Sequence, residues 1–228
     1  MKKSFLIVLL LCSVYTSFAQ KSYTKHPNTS QKGWHELFTS DLTNAIYPKG
    51  VWSVSEGVFT ATEDQALWSK NMYENFILDL EFKNADGTNS GVIVHTSNLE
   101  DWIPNSVEIQ IADDYSEQWS KAPANWQCGA VFGHQAASKK AVKKAGEWNH
   151  YTVTCVGRKI WVVLNGELVN ECDMSKFTSG KTNPDGSEIP SWLSNPLAEL
   201  PLKGHIGFQG KHAGAPIYLR NIKIKELK

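Results

Sequence analysis

The sequence lacks an excess of charge of either sign. Lys and Arg number 23, Asp and Glu number 23, and the formal net charge is zero. Proteins that bind nucleic acid or an anionic membrane surface through electrostatics carry a basic excess or a basic patch. The charge balance therefore predicts neither a nucleic-acid partner nor a membrane-surface partner.

The one candidate for a membrane segment is too short to span a bilayer. This apolar run, residues 5–12, follows Lys2 and Lys3 and precedes small residues that end at Ala19. The pattern is typical of a secretory signal peptide. We therefore expect residues 1–19 to be removed and the protein to be periplasmic or secreted, a retained N-terminal anchor being the alternative.

Cysteine is scarce. Of the 4 in the chain, Cys12 falls in the predicted signal peptide, which leaves Cys128, Cys155 and Cys172. An odd number permits at most one disulfide, and a Cys155–Cys172 bridge stays open, so the chain is not a disulfide scaffold. No CxxC pair is present, so a zinc–cysteine site is not expected.

Several catalytic signatures are also missing. The sequence has no phosphate-binding loop, no dinucleotide fingerprint, no HExxH motif and no GxSxG elbow. These absences argue against a nucleotide-dependent enzyme, a zinc peptidase of that type and a serine hydrolase built on that elbow. We expect no organic cofactor.

What the sequence does have is alternation. Apolar and polar residues alternate strictly in "FILDLEFKN", residues 76–84, and short segments of the same kind recur along the chain. Glu56-Gly57 and Asn165-Gly166 mark tight hairpin turns between such segments. A long amphipathic helix and a fixed repeat are both absent. We therefore predict an all-β sandwich of two sheets with ~10 to 14 strands.

One predicted strand carries acid on the face turned away from the core. In "SVEIQIADD", Val107, Ile109 and Ile111 alternate as the buried side of a strand should. Glu108 and Gln110 therefore share the opposite face. This face is either an ordinary solvated surface or a site.

Two long segments interrupt the strand pattern. Residues 115–144 contain Trp119 and Trp126, and residues 175–201 form a Pro/Gly/Ser-rich insertion that contains Trp192. Long loops in compact domains often act as lids or binding loops. The chain has 9 Trp, and such side chains either fill a core or line a binding surface.

The motifs of this chain resemble those of a known family. "GWHELFTSDL", "FILDLEFK", "NSGVIVH", "VEIQIADD", "CGAVFG" and "GHIGFQGKH" follow one another in the order and spacing of the 3-keto-disaccharide hydrolase domain. The resemblance covers residues 33–227. It implies a concanavalin A-like jelly roll as a single domain over residues 33–228, after a polar lead-in at residues 20–32.

The resemblance also implies a substrate, a glycoside whose sugar is oxidised to a ketone at C3. The ketone acidifies the hydrogen on C2, so a base can take that proton, the enolate can expel the aglycone from C1, and water can add back. Such a site needs a general base, a general acid and a group that polarises the enolate oxygen. That group is Lys, His or a divalent cation such as Ca²⁺ or Mn²⁺.

The same resemblance suggests site residues. Glucanases of this fold carry an E-x-D-x-(x)-E arrangement, to which Glu108-x-Gln110-x-x-Asp113 is similar. We expect Glu108 to act as general acid or base, with Asp113 nearby and His212 or His134 as its partner. The substrate-binding candidates are polar residues on neighbouring strands and three tryptophans, namely Lys70, His95, Gln110, Gln209, Trp102, Trp119 and Trp126.

Two other functions are open on the sequence. The same fold supports non-catalytic carbohydrate-binding modules, and it supports conventional glucanases that act on unoxidised polysaccharide. Gln110 in place of a carboxylate argues against the glucanase. For the oxidised-sugar enzyme, the expected partners are the carbohydrate substrate and a separate 3-dehydrogenase that supplies it.

Overall fold

The computed structural model describes residues 23–228, which form 13 strands and almost no helix. The predicted signal peptide, residues 1–19, lies outside the described residues. Within residues 23–228, no helix has both the length and the apolar character needed to cross a membrane. The one α-helix, α1 (Glu117–Ser120), is a single turn, and short 3₁₀ helices cover Ala124–Trp126, Met174–Lys176 and Leu197–Glu199.

The strands are short and follow one another along the whole described chain. In chain order they are β1 (His35–Glu36), β2 (Ala45–Ile46), β3 (Trp52–Ser55), β4 (Val58–Ala61), β5 (Leu67–Tyr73), β6 (Phe76–Asn84), β7 (Asn89–Thr96), β8 (Val107–Ala112), β9 (Trp148–Val156), β10 (Lys159–Leu164), β11 (Glu167–Asp173), β12 (Gly204–Phe208) and β13 (Ile217–Glu226).

These strands form two antiparallel sheets. The larger, 8-stranded sheet has the order β11-β10-β9-β6-β13-β4-β3, with β1 also paired to β13. The smaller, 5-stranded sheet has the order β2-β5-β12-β7-β8. The predicted two-sheet sandwich is therefore confirmed.

The two predicted hairpin turns are confirmed as well. Glu56 and Gly57 join β3 to β4 with φ of 50° and 75°, and Asn165 and Gly166 join β10 to β11 with φ of 51° and 88°. Positive φ at both central residues is the type I′ geometry, which matches the right-handed twist of the paired strands.

The core lies between the two sheets. The larger sheet contributes the alternating residues Phe76, Leu78, Leu80 and Phe82, all of them fully buried. The smaller sheet contributes Val107, Ile109 and Ile111 from β8, which belong to the same cluster. Because strand side chains alternate, the intervening β8 residues face away from the core, as the sequence predicts.

The three cysteines of the described chain are buried and free. Cys155 on β9 and Cys172 on β11 both stand opposite Ile160 of β10, so a whole strand separates them. Two inter-strand spacings amount to about 9–10 Å. A disulfide needs Cα atoms within about 7 Å, so the open question of a Cys155–Cys172 bridge is answered in the negative.

Candidate functional site

A cavity of about 350 Å³ opens on the outer face of the smaller sheet. Its polar lining comes from β7, β8 and the segment after β12: Asn89, Glu108, Gln110, Gln209 and His212. Its apolar lining comes chiefly from loops: Trp102, Ile103, Trp119, Trp126, Phe132 and Trp192. A concave, mostly apolar cavity with a few convergent polar groups is the usual form of a small-molecule site.

The side chain of Glu108 lies in this cavity, in space that is free because residue 91 is a glycine. Gly91 stands beside it on β7, and a Cβ atom at Gly91 would come within 2.2 Å of Glu108 Oε1. Glu108 is half-buried in the wall of the cavity. This burial, followed by the negative charge of Asp64, raises the pKa of Glu108 from 4.5 to about 8. At neutral pH Glu108 is therefore protonated and able to donate a proton.

Two amide oxygens in the cavity have no hydrogen-bond partner among the described residues. Gln110 Nε2 donates to Asn89 Oδ1 at 2.9 Å, which leaves Gln110 Oε1 buried and unpaired. Gln209 Oε1 is also buried and unpaired. An unsatisfied buried acceptor costs about 1–3 kcal/mol. Two such acceptors in one cavity favour a ligand that carries hydroxyl or amine donors.

His212 faces the cavity from the loop after β12 and is held from behind by a carboxylate. Its Nδ1 donates to Oδ2 of Asp64 at 2.5 Å. Asp64 lies in the loop between β4 and β5. The pair places an imidazole in the same cavity as the buried carboxyl group of Glu108.

The aromatic side of the cavity is a connected set of rings. Trp126 packs against Phe132 with ring centroids 5.2 Å apart and meets Trp192 edge-on at 6.1 Å. Trp192 remains 50% exposed, whereas Trp119 is buried and donates its indole N–H to the Gly87 carbonyl at 3.0 Å. Trp192 therefore presents ring surface to an incoming ligand.

Two predicted site residues lie away from the cavity. His95 is six residues along β7 from Asn89, about 20 Å at the usual strand rise. His95 is fully buried, which lowers its pKa to about 4, and its Nδ1 donates to the Leu202 carbonyl at 2.6 Å. Lys70 donates to the Thr43 carbonyl at 2.6 Å. Neither residue lines the cavity.

Two more predicted residues are engaged by their own surroundings. Asp113 is buried, and its carboxylate accepts hydrogen bonds from the backbone N–H groups of Gly87 and Tyr115. His134 is buried at 3.1 Å from Asn183 Oδ1, and burial lowers its pKa. The structure does not bring Asp113 or His134 to the cavity. It does bring Glu108, Gln110, Gln209, His212, Trp102, Trp119 and Trp126 together there.

The sequence interpretation missed several residues of the site. Asn89, Gly91 and Asp64 are small or loop residues that carry no pattern of their own. Trp192 had a signal, because it sits in the long insertion after β11. The sequence shows that Trp192 lies in a long loop, but it does not show which residues the loop brings next to it.

A second polar cluster lies on the outer face of the larger sheet. Potential ligand atoms of His26, Asp79 and His150 lie within 4.8 Å of one another. His150 Nε2 donates to Asp79 at 2.9 Å, and Thr152 Oγ1 donates to the same carboxylate at 2.6 Å. His26 Nε2 accepts from the Gly166 N–H at 2.8 Å, so Nδ1 carries the proton that is donated to Thr152.

These hydrogen bonds are better explained as an attachment of the N-terminal segment to the sheet than as a metal site. A metal on His26 would have to displace either the Gly166 N–H or the bond to Thr152. Burial is the main cause that lowers the pKa of His26, to about 4, so its ring is neutral at pH 7. The cluster therefore holds the N-terminal segment to the sheet.

The expected Ca²⁺ or Mn²⁺ stays a prediction. Within the described chain, Glu108 is the one carboxyl group that lines the cavity. Hard divalent cations prefer several anionic oxygens. This donor set does not fit a tightly bound divalent cation.

Comparison with known proteins gives one match to a family. A family model described as 3-keto-alpha-glucoside-1,2-lyase-like domain matches residues 27–225. A solved structure from Parabacteroides distasonis, named "putative glycosyl hydrolase", is 56% identical with a TM-score of 0.83. The alignment covers 85% of this chain and 99% of that one. No curated protein matches the sequence.

More distant structures share the fold alone. The carbohydrate-binding module CBM66 from Bacillus subtilis has a TM-score of 0.51 at 11% identity, over 83% of this chain and 99% of the module. The exoplasmic domain of VIP36, bound to Ca²⁺ and Man3GlcNAc, has a TM-score of 0.53 at 10% identity, over 85% of this chain and 89% of that one. The expected lectin-like jelly roll is thereby confirmed.

Proposed function

The chain belongs to the 3-keto-alpha-glucoside-1,2-lyase-like domain family, and from that premise we propose that it cleaves glycosides whose sugar carries a ketone at C3. A function on glycosides is supported by the 56% identity to the Parabacteroides distasonis protein. One observation supports the chemistry most. A protonated carboxyl group, an imidazole and two unpaired amide oxygens share one cavity.

The proposed reaction begins with loss of the C2 proton. Nε2 of His212 takes this proton, the electron pair forms the enolate of the C3 ketone, and the enolate then expels the aglycone from C1. Glu108 donates its proton to the departing glycosidic oxygen, so the aglycone leaves as a neutral alcohol. The products of this half-reaction are the unsaturated 3-keto sugar, the alcohol, a charged imidazolium and a carboxylate.

Hydration then restores both side chains. The Glu108 carboxylate takes a proton from water as the oxygen of that water adds to C1, and the His212 imidazolium returns a proton to C2. The net change is one water consumed, one C1–O bond broken and one C1–O bond formed. No glycosyl-enzyme is required, so a single carboxyl group suffices.

The remaining cavity residues serve recognition. The unpaired oxygens of Gln110 and Gln209 accept hydrogen bonds from ring hydroxyls, which relieves the penalty of burying them. The rings of Trp126 and Trp192 offer flat apolar surface to the sugar or its aglycone. The volume of about 350 Å³ lies within the usual range for small-molecule sites.

Paired substrates test the proposal. A 3-keto-glucoside with a chromogenic aglycone, as the α and as the β anomer, and its unoxidised parent are assayed side by side, with and without EDTA. We expect release from the keto compound only, and loss of release in Glu108→Gln, while Glu171→Gln, an exposed carboxyl on the larger sheet, keeps it. Equal turnover of both substrates would refute the oxidised-sugar chemistry, and loss of turnover in EDTA would reinstate the cation.

A carbohydrate-binding module is the second candidate. The fold is shared with CBM66, and the half-exposed ring of Trp192 would suit sugar binding without chemistry. Sugar binding by calorimetry together with no turnover of either glucoside would favour this function. A conventional glucanase is less favoured, because retaining hydrolysis uses two carboxyl groups ~5–5.5 Å apart and Glu108 alone lines the described cavity.

The cellular setting follows from the substrate and from the predicted signal peptide. We propose a periplasmic or secreted protein that receives its oxidised sugar from a separate 3-dehydrogenase. The proposed steps transfer protons and involve no net oxidation or reduction, so they use no organic cofactor.

A further inference from the structure

Asp64 and His212 meet because two loops are fastened to each other. The Lys211 N–H donates to the Glu63 carbonyl at 2.9 Å. A Cβ atom at Gly210 would lie 2.4 Å from the same carbonyl oxygen, so the chains are in close contact there. The side-chain bond between Asp64 and His212 therefore rests on a fixed backbone, although both side chains are partly exposed.

This bond selects the form of the imidazole. A carboxylate can only accept a hydrogen bond, so Nδ1 of His212 must carry the proton that it shares with Asp64 at 2.5 Å. In a neutral imidazole the other nitrogen, Nε2, then has a free lone pair. His212 lines the cavity, and Nε2 is the nitrogen left to accept a proton from a substrate.

Asp64 also acts on the second group in the cavity. Its negative charge opposes ionisation of Glu108 and adds to the larger effect of burial, so both causes raise the pKa of Glu108. The ionisable groups that line the described cavity are Glu108 and His212, with Asp64 directly behind His212. Glu63 and Lys211 adjoin this pair in the sequence.

We propose that Asp64 is a positioning residue that assigns the two proton-transfer roles, keeping His212 as the acceptor at Nε2 and Glu108 as the donor. The proposal rests on the proposed function for the meaning of those roles, but the arrangement itself can be measured without any substrate. Asp64 does not itself line the cavity, so its effect on the reaction passes through His212 and Glu108. A carboxylate that orients a histidine is the known logic of hydrolytic triads.

The first test reads the tautomer directly. Full-length protein labelled with ¹⁵N-histidine is compared by NMR as wild type, Asp64→Asn and Glu63→Gln, and His212→Ala identifies the His212 signals among the 7 histidines. We expect the Nδ1–H form of His212 in wild type and in Glu63→Gln, and a mixture or the Nε2–H form in Asp64→Asn. An unchanged tautomer in Asp64→Asn would overturn the proposal.

The second test reads catalysis against pH with the chromogenic 3-keto-glucoside. Asp64→Asn should lower kcat/KM by about 10²–10⁴-fold, the range for losing a correctly presented base. It should also move the alkaline limb of the pH profile to lower pH, because Glu108 then ionises more easily. Glu63→Gln should change neither, and Asp64→Glu should recover part of the rate. A uniform loss with an unmoved alkaline limb would contradict the proposal.

The two tests also separate this proposal from the proposed function. If the wild type cleaves no 3-keto-glucoside but the tautomer changes in Asp64→Asn, the substrate assignment fails and the Asp64 arrangement stands. If the wild type cleaves the substrate and Asp64→Asn matches it in both rate and tautomer, the function stands and the role of Asp64 is refuted.

Discussion

Ionisation of Glu108 should make the folded protein less stable as the pH rises. Glu108 has a pKa of about 8 in the folded protein against an ordinary 4.5. The folded state therefore holds a proton that the unfolded state releases between these two pH values. Stability from this group is fully present below pH 4.5 and is lost as the pH rises through 8.

The size of the effect follows from the shift. A difference of 3.5 pH units, 8 minus 4.5, corresponds to at most about 5 kcal/mol at 1.36 kcal/mol per unit. In a protein of this size 1 kcal/mol moves Tm by roughly 2–4 °C. Glu108→Gln keeps the shape and removes the ionisation, so it should abolish this loss and unfold at higher temperature than wild type at pH 9.

The assay is urea unfolding of wild type, Glu108→Gln and the surface control Glu171→Gln at pH 5, 7 and 9. Other shifted groups, such as the buried Asp114, are common to all three proteins and cancel in the comparison. We expect Glu108→Gln to gain several kcal/mol relative to wild type between pH 5 and 9. Parallel stability curves for wild type and Glu108→Gln would refute the burial argument for the proton on Glu108.

Three further predictions follow from single contacts. Gly91→Ala should displace the carboxyl of Glu108, because a Cβ atom there would lie 2.2 Å from Oε1, and should lower kcat/KM by about 10²-fold or more with the far-UV CD spectrum unchanged. Trp192→Ala should raise KM by about 10-fold, or about 1.4 kcal/mol, with kcat nearly unchanged, because its half-exposed ring lines the cavity where the proposed substrate would bind. His26 has a pKa of about 4 in the folded protein and 6.5 otherwise, so in wild type the unfolded state binds a proton first as the pH falls, and the free energy of unfolding decreases. His26→Gln should make that decrease smaller.

Each of these has a result that would count against it. Full activity in Gly91→Ala would mean that Glu108 has room to move and that its placement is not critical. A loss confined to kcat in Trp192→Ala would put that ring in the chemistry instead of in binding. For His26→Gln, a free energy of unfolding that changes with pH between 4 and 7 as it does in wild type would show that His26 does not control stability in acid.

Strand alternation made one part of the site predictable. The period of two put Val107, Ile109 and Ile111 in the core and left Glu108 and Gln110 on the other face. Both turn signals held because Asn-Gly and Glu-Gly pairs take positive φ locally. Local rules of this kind need no knowledge of the rest of the chain.

Alternation gives the face of a strand but not the position along the sheet. Lys70 and His95 both lie away from the cavity, and a register shift between β7 and β12 interrupts the alternation at His95, so that its ring lies 6.3 Å from the ring of Phe76 in the core. Which residues stand side by side depends on strand register, and tertiary packing sets the register. A pattern within one strand cannot contain that information.

Loop contacts were the least predictable part. Asp64 and His212 are 148 residues apart, and neither loop has a period. Asp113 had the expected spacing from Glu108, but two backbone N–H groups occupy its carboxylate. Short polar side chains after a strand often bind the nearby backbone in this way, and spacing alone does not separate that role from catalysis.

The account depends most on proton removal at C2 in the cavity. The direct measurement is early turnover of the 3-keto-glucoside in D₂O, with deuterium at C2 of the released sugar read by NMR against free 3-keto sugar incubated for the same time. We predict about one deuterium at C2 per turnover, above that background, and none in Glu108→Gln, which should not turn over. Rapid aglycone release that leaves hydrogen at C2, together with no slowing when C2 of the substrate carries deuterium, would contradict the elimination and hydration sequence and return direct displacement to first place.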